Sequence, residues 1–251
     1  MSESVEPLVV PLPGPPKGFS GRRLLPELMD DPTLPSAAHR RALAGLARIN
    51  LISATAGSFR TPLSQLCASL PEGQPVRVLD VATGGGDVPV RLARWARRRG
   101  LPLVLAGCDA HPRAVATAQE RADRYAVPVR FFTRDVLRDG IPGGWDAVIC
   151  SLFLHHLTTA QAVTVLAAMG EAATHLVVVN DLLRSPLAYA VAWVGTRVLS
   201  SSPVVHFDGP TSVRAAFTEA EARALATAAH LQGARLRWQW PFRFLLTWRR
   251  R

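Results

Sequence analysis

The chain has 251 residues, 48% of them apolar, and a formal net charge of +10. That length suits one large domain or a domain with a cap, and the composition is enough to fill a sizeable core. The three cysteines, Cys67, Cys108 and Cys150, are too widely spaced for a disulfide framework or a metal cluster, and they point to a reducing, cytoplasmic setting. No charged region followed by an apolar run opens the sequence, so no signal peptide is expected. The most apolar late stretch, PLAYAVAWVG from Pro186 to Gly195, is too short to span a bilayer.

Residues 1–35 are rich in proline and read as an extended lead-in, with RRLLPELMDD adding a turn of helix closed by Asp31 and Pro32. Residues 36–74 form an N-terminal helical segment, in which Leu43, Leu46, Ala47 and Ile49 recur at helical spacing and PLSQLCASL gives a further helix. From residue 75 to the end, strands and helices alternate. The expected strands are 76–81, 103–108, 129–133, 145–150 and 176–179, with helices starting near Val88, Pro112 and Ala160. Such alternation implies a mostly parallel sheet covered on both faces. The rhythm breaks after Asp181, over about 182–216. It resumes with the helix TEAEARALATAAHL and two strand-like runs, ARLRWQW and FRFLLTW, which Pro241 separates tightly enough for an antiparallel ending.

The positive charge is carried almost wholly by arginine, Lys17 being the single lysine. The basic run RWARRRG sits at the end of a predicted helix, where cations complement the macrodipole. No specific nucleic-acid partner is expected.

The chemistry gathers around VLDVATGGGDVPVRLA, residues 78–93. Three glycines, Gly84 to Gly86, join an apolar strand to a helix, and glycine lets a backbone turn tightly and approach a ligand without a Cβ between them. A nucleotide-like ligand over the carboxyl end of a parallel strand suits such a turn. Three acids lie at the ends of successive strands: Asp80, then Asp109 in GCDAHP, then Asp135 in FFTRDV. Asp109 is placed to accept hydrogen bonds from a ribose diol.

These residues resemble the class I S-adenosylmethionine-dependent methyltransferases over residues 75–181, and the quinone-biosynthesis-like, small-molecule branch in particular through LHHL. The resemblance implies a doubly wound α/β sheet, mostly parallel and seven-stranded, with N-terminal helices and a lid inserted after strand five. It implies that S-adenosylmethionine is held by Asp80, Ala82, Thr83, Gly84, Gly86, Asp109, Ala110, Asp135, Val136 and Ser151. Ala82 departs from the family, which has a glycine there. Alanine is tolerable if its φ stays negative. A dinucleotide-dependent dehydrogenase would need G-x-G-x-x-G, and Pro89 stands where its third glycine belongs. A non-catalytic member of the same fold is the other alternative.

For the acceptor, SLFLHH replaces the Asn/Asp-Pro-Pro-aromatic loop of amine-methylating relatives. This argues for a small-molecule O- or C-methyltransferase, and O-methylation of a small, apolar, hydroxylated acceptor such as a phenol, quinol or polyketide leads because such an oxygen needs only one modestly basic residue. C-methylation is the runner-up and RNA methylation a further alternative. His156, His155 and His206 are the candidate general bases, in that order, because imidazole titrates near neutrality. His206 and Asp208 are expected in a loop. Leu187, Ala190, Val191 and Val194, at helical spacing, are expected to form a lid, a helix packed on the sheet or a dimer contact. Asp181 and Arg184 are expected to orient a hydroxyl or support that lid. No set of His, Asp or Glu has metal-ligand spacing, and the oligomeric state does not follow from the residues.

Overall fold

The computed structural model describes residues 55–250 continuously, and before them 19, 21–30 and a few positions from 34 to 45. The helix expected around Leu43, Leu46, Ala47 and Ile49 lies outside the described residues. Two compact units are present. One contains Ser53–Leu183 and Ala216–Arg251, the other Arg184–Ala215 with the described residues of the segment before Ser53.

The larger unit is built on seven strands: β1 (Val76–Val81), β2 (Leu103–Asp109), β3 (Val129–Thr133), β4 (Trp145–Ser151), β5 (Ala173–Leu182), β6 (Arg235–Gln239) and β7 (Arg243–Arg249). Their order is β3-β2-β1-β4-β5-β7-β6. The first five pair in parallel, and β7 is antiparallel to both β5 and β6. This is the doubly wound, mostly parallel sheet that the sequence implies. The helices are α1 (Thr55–Ser58), α2 (Arg60–Ser69), α3 (Asp87–Arg99), α4 (Pro112–Arg124), α5 (Thr159–Ala172) and α8 (Glu219–Ala228); α6 and α7 belong to the second unit.

The strands are apolar on both sides because both faces are covered. Leu79, Val81, Val148, Val177 and Val179 pack with Leu166 and Met169 of α5 and Leu225 of α8. The alternate positions Val76, Val78, Ile149 and Val178 pack with Leu63 and Leu66 of α2 and Leu92 and Trp95 of α3. α5 and α8 each begin on a capping box, Thr158 with Gln161 and Thr218 with Glu221. With such a core, the carboxyl ends of β1, β2, β4 and β5 open onto one rim, where loops need not pack.

The second unit holds α6 (Pro186–Leu199) and α7 (Pro203–Ala215). A Cβ at Gly209 would stand 2.4 Å from Thr196 Cγ2, so the two helices meet where α7 has no side chain. Asp208 is buried and accepts from the backbone N–H groups of Leu28 (2.7 Å) and Met29 (3.1 Å). Arg184 is also buried, and donates to the carbonyl of Phe19 at 2.7 Å. The expected loop around His206 and Asp208 is therefore a helix. Pro210 lies inside it, and the carboxylate of Asp208 serves the chain from Leu28 onward.

Candidate active site

At the end of β1 the chain turns through Ala82, Thr83 and the glycines into α3. The turn is fixed by Thr83 N–H to the carbonyl of Cys108 (2.9 Å) and Gly86 N–H to that of Thr83 (3.1 Å). Gly84 and Gly86 take φ of 54° and 72°, in the left-handed region. They do so for different reasons. A Cβ on Gly86 would stand 2.8 Å from the Cβ of Ala118, so that glycine lets α4 approach. Around Gly84 there is nothing within 4 Å of the same position, which leaves the backbone open to a ligand. Ala82 has φ of 53°, contrary to the negative value expected for an alanine there. The turn imposes its left-handed geometry whether or not the residue is glycine, at a cost of about 1–2 kcal/mol for an L-residue.

Asp109 ties the turn to β2. Its two carboxylate oxygens accept from Gly84 N–H and His111 N–H, each at 2.9 Å. Asp80 is buried: one oxygen accepts from the Thr83 hydroxyl at 2.7 Å, and the other has no partner. Burial, opposed by the Thr83 hydrogen bond and reinforced by the nearby charge of Asp109, raises its pKa to about 7. An orphaned carboxylate oxygen beside an open glycine backbone is what a cationic, hydroxyl-bearing cofactor would satisfy, so these residues fit S-adenosylmethionine.

Asp135 caps its own turn, accepting from Leu137 N–H at 3.0 Å, with Val136 buried after it. Ala110 is exposed after β2, and Ser151 ends β4, half-buried. Burial lifts the Cys108 thiol to about 12 and that of Cys150 well above its usual value, so neither is a thiolate nucleophile.

Beyond β4, Leu152 is left-handed (φ 53°), and a single 3₁₀ turn spans Leu154–His156. His155 is buried, and its Nδ1 lies 2.6 Å from Oδ1 of Asp181, at the end of the adjacent strand β5. The backbone N–H groups of Leu182 (2.6 Å) and His155 (3.3 Å) donate to the same carboxylate. Burial alone would raise the Asp181 pKa. The charge and hydrogen bond of His155, the Leu182 N–H and the charge of His156 outweigh it, and the pKa is lowered. The His156 ring lies against that of His155, with centroids 4.3 Å apart and planes 34° apart, and the residue is exposed. Arg243 of β7, paired with Leu182, is buried with a hydrogen bond to Thr55; burial lowers its pKa to about 10 against the pull of Asp181.

Neither the pairing of Asp181 with His155 nor the buried Arg243 follows from the sequence pattern. An acid at the carboxyl end of the strand next to LHHL was the available signal for the first; no local pattern marked the second. His206 lies in α7 of the second unit, its Nε2 2.7 Å from the carbonyl of Ser200.

Residues 78–175 match a family model described as a methyltransferase domain. No curated protein gives a significant match. Among solved structures the chain is similar to SibL, an S-adenosylmethionine-dependent methyltransferase in its apo form, with TM-score 0.55 and 20% identity over 76% of this chain. It is similar also to magnesium protoporphyrin IX methyltransferase (ChlM) of Synechocystis PCC 6803 with bound SAH, with TM-score 0.54 and 16% identity over 88% of this chain and 90% of that one. A third is an O-methyltransferase family 2 protein of Planctomyces limnophilus DSM 3776 in complex with apigenin. There the TM-score is 0.56 and the identity 16%, over 87% of this chain and 63% of that one. The chain spans only 55% of the length of SibL.

The sheet order and the glycine-turn site thus define a class I methyltransferase fold. The match to the methyltransferase-domain model, over residues 78–175, falls on the same part of the sheet.

Proposed function

We propose that this enzyme transfers a methyl group to an oxygen of a small, apolar, hydroxylated acceptor, with His156 taking the acceptor's proton. The observation that carries this reading is the pair of stacked imidazoles backed by one buried carboxylate, His155 on Asp181 at 2.6 Å and His156 on His155 at 4.3 Å between centroids. S-adenosylmethionine supplies the electrophilic methyl, and Asp80, Gly84 and Asp109 would hold it. The chain's own residues then have one task at the acceptor, which is to remove a proton as the oxygen becomes nucleophilic. His155 is held by Asp181 through Nδ1, so its ring is a fixed support. His156 is the accessible member, and its charge is felt by Asp181. A proton arriving there is stabilised by the carboxylate behind.

The small-molecule class is supported by the absence of an Asn/Asp-Pro-Pro-aromatic loop at SLFLHH and by fold neighbours that include an O-methyltransferase solved with apigenin. The test is turnover of a panel of phenols and quinols with product analysis. His156→Gln should lose about 10²–10⁴-fold in rate, with affinity for the demethylated cofactor unchanged. A larger loss in His155→Gln would transfer the base role to that residue. A C-methylated or RNA product would replace the acceptor class.

A further inference from the structure

The second unit carries a helix that is inside out. In α6, Ala188, Tyr189 and Thr196 are buried, while Leu187, Val191, Val194 and Val198 are 61%, 42%, 53% and 75% exposed. These four follow one another at steps of four, three and four residues, so they form one stripe along the helix. Trp193 flanks it, 42% exposed, with the Arg197 guanidinium 3.8 Å over its ring. Of the eleven exposed large apolar side chains among the described residues, five lie on this one helix. Isolated exposed leucines are ordinary, but a contiguous apolar stripe marks an interaction surface.

Charge decides what the stripe meets. From residue 182 to residue 207 the chain has no Asp or Glu, and its only charged side chains are Arg184 and Arg197. Among the described side chains of this unit, Arg22, Arg23, Arg41, Arg197 and Arg214 are exposed or half-buried, against Glu27 alone of the acids. A second copy would bring like charge against like, each chain carrying +10. An anionic surface would be attracted. The helix has 14 residues, about 21 Å at 1.5 Å per residue, short of the ~30 Å hydrocarbon core. No described helix is long and apolar enough to cross a membrane. An apolar stripe with a tryptophan at its edge and an arginine, Arg197, over that ring are features of a helix lying in the plane of the bilayer interface.

We infer that α6 docks the enzyme on an anionic lipid surface, with Leu187, Val191, Val194 and Val198 in the acyl boundary and Arg197 at the headgroups. The full-length chain is floated with vesicles of phosphatidylcholine and phosphatidylglycerol in equal parts, and with phosphatidylcholine alone, at low and at high salt. The wild type should float with the anionic vesicles, at least tenfold more than with neutral ones, and salt should weaken binding. The Val191→Glu, Val194→Glu double variant should lose at least tenfold in partition. Its calorimetric affinity for the demethylated cofactor should be unchanged, which establishes that it is folded. Three results overturn the inference: no flotation of the wild type, equal partition of wild type and double variant, or equal binding to neutral vesicles. A wild-type dimer by light scattering that the double variant dissolves would assign the stripe to a second copy and equally overturn it.

Discussion

Asp80 and Asp181 are both aspartates, both fully buried, each at the carboxyl end of a parallel strand, yet their environments drive them in opposite directions. Asp80 receives one hydroxyl hydrogen bond, faces the charge of Asp109 and is pushed up to about 7. Asp181 receives an imidazole and two backbone N–H groups and is held below the usual carboxylate range. Burial penalises both charges alike, and what differs is the supply of partners. The end of β5 comes with its ionic partner built in. The end of β1 leaves an acceptor oxygen unspent, and a cofactor can spend it.

The strongest way to break this comparison is to remove the built-in charge. Asp181→Asn leaves His155 buried without its anion and should cost about 3–5 kcal/mol in urea unfolding. It should also move the acid limb of the pH–rate profile to lower pH, because a proton on His156 loses the carboxylate behind it. An unchanged midpoint and profile would mean the pair contributes nothing.

The next largest effect is expected at the third carboxylate. Asp109→Ala removes the acceptors of the Gly84 and His111 N–H groups, which shape the turn proposed to hold the cofactor, and should weaken cofactor binding by about 1.5–3 kcal/mol in calorimetry. It should also lower the pKa of Asp80, since Asp109 is one of the two causes that raise it. Full retention of affinity would remove Asp109 from the cofactor site.

Asp80 sharpens the contrast through pH. Its folded pKa, about 7, lies above the unfolded value near 3.9, so its contribution to stability is complete below pH 4 and is lost as pH rises to 7. Asp181 behaves in the opposite sense: its contribution is present above pH 4 and lost as pH falls through its lowered pKa. Asp80→Asn should therefore stabilise the cofactor-free protein by about 2–3 kcal/mol at pH 8 and by little at pH 4, while weakening cofactor binding. Equal destabilisation at both pH values would show that Asp80 is a structural anion like Asp181. The smallest expected effect is at Ala82. Glycine relieves its φ of 53° but gains freedom in the unfolded chain, so Ala82→Gly should stabilise by only about 0.5 kcal/mol in thermal unfolding.

The sequence by itself determined what short-range chemistry controls. The alternating apolar runs became the strands of the parallel sheet within a residue or two, except that β5 extends three residues beyond its expected span at each end. The glycines of the turn were legible because a positive φ and an approaching helix select that residue. Asp80 and Asp109 were legible as acids following apolar runs. Tertiary structure decided the rest, because it depends on residues distant in sequence sharing one dry environment. The bond between His155 and Asp181, 26 residues apart, exists only because β4 and β5 are neighbours in the sheet. His206 reads as a loop residue until the chain around Asp208 is seen to need a helix with a buried carboxylate. The spacing of Leu187, Val191 and Val194 gave a helix correctly but not the side it turns to solvent. Periodicity fixes which residues share a face, and only packing decides whether that face is covered.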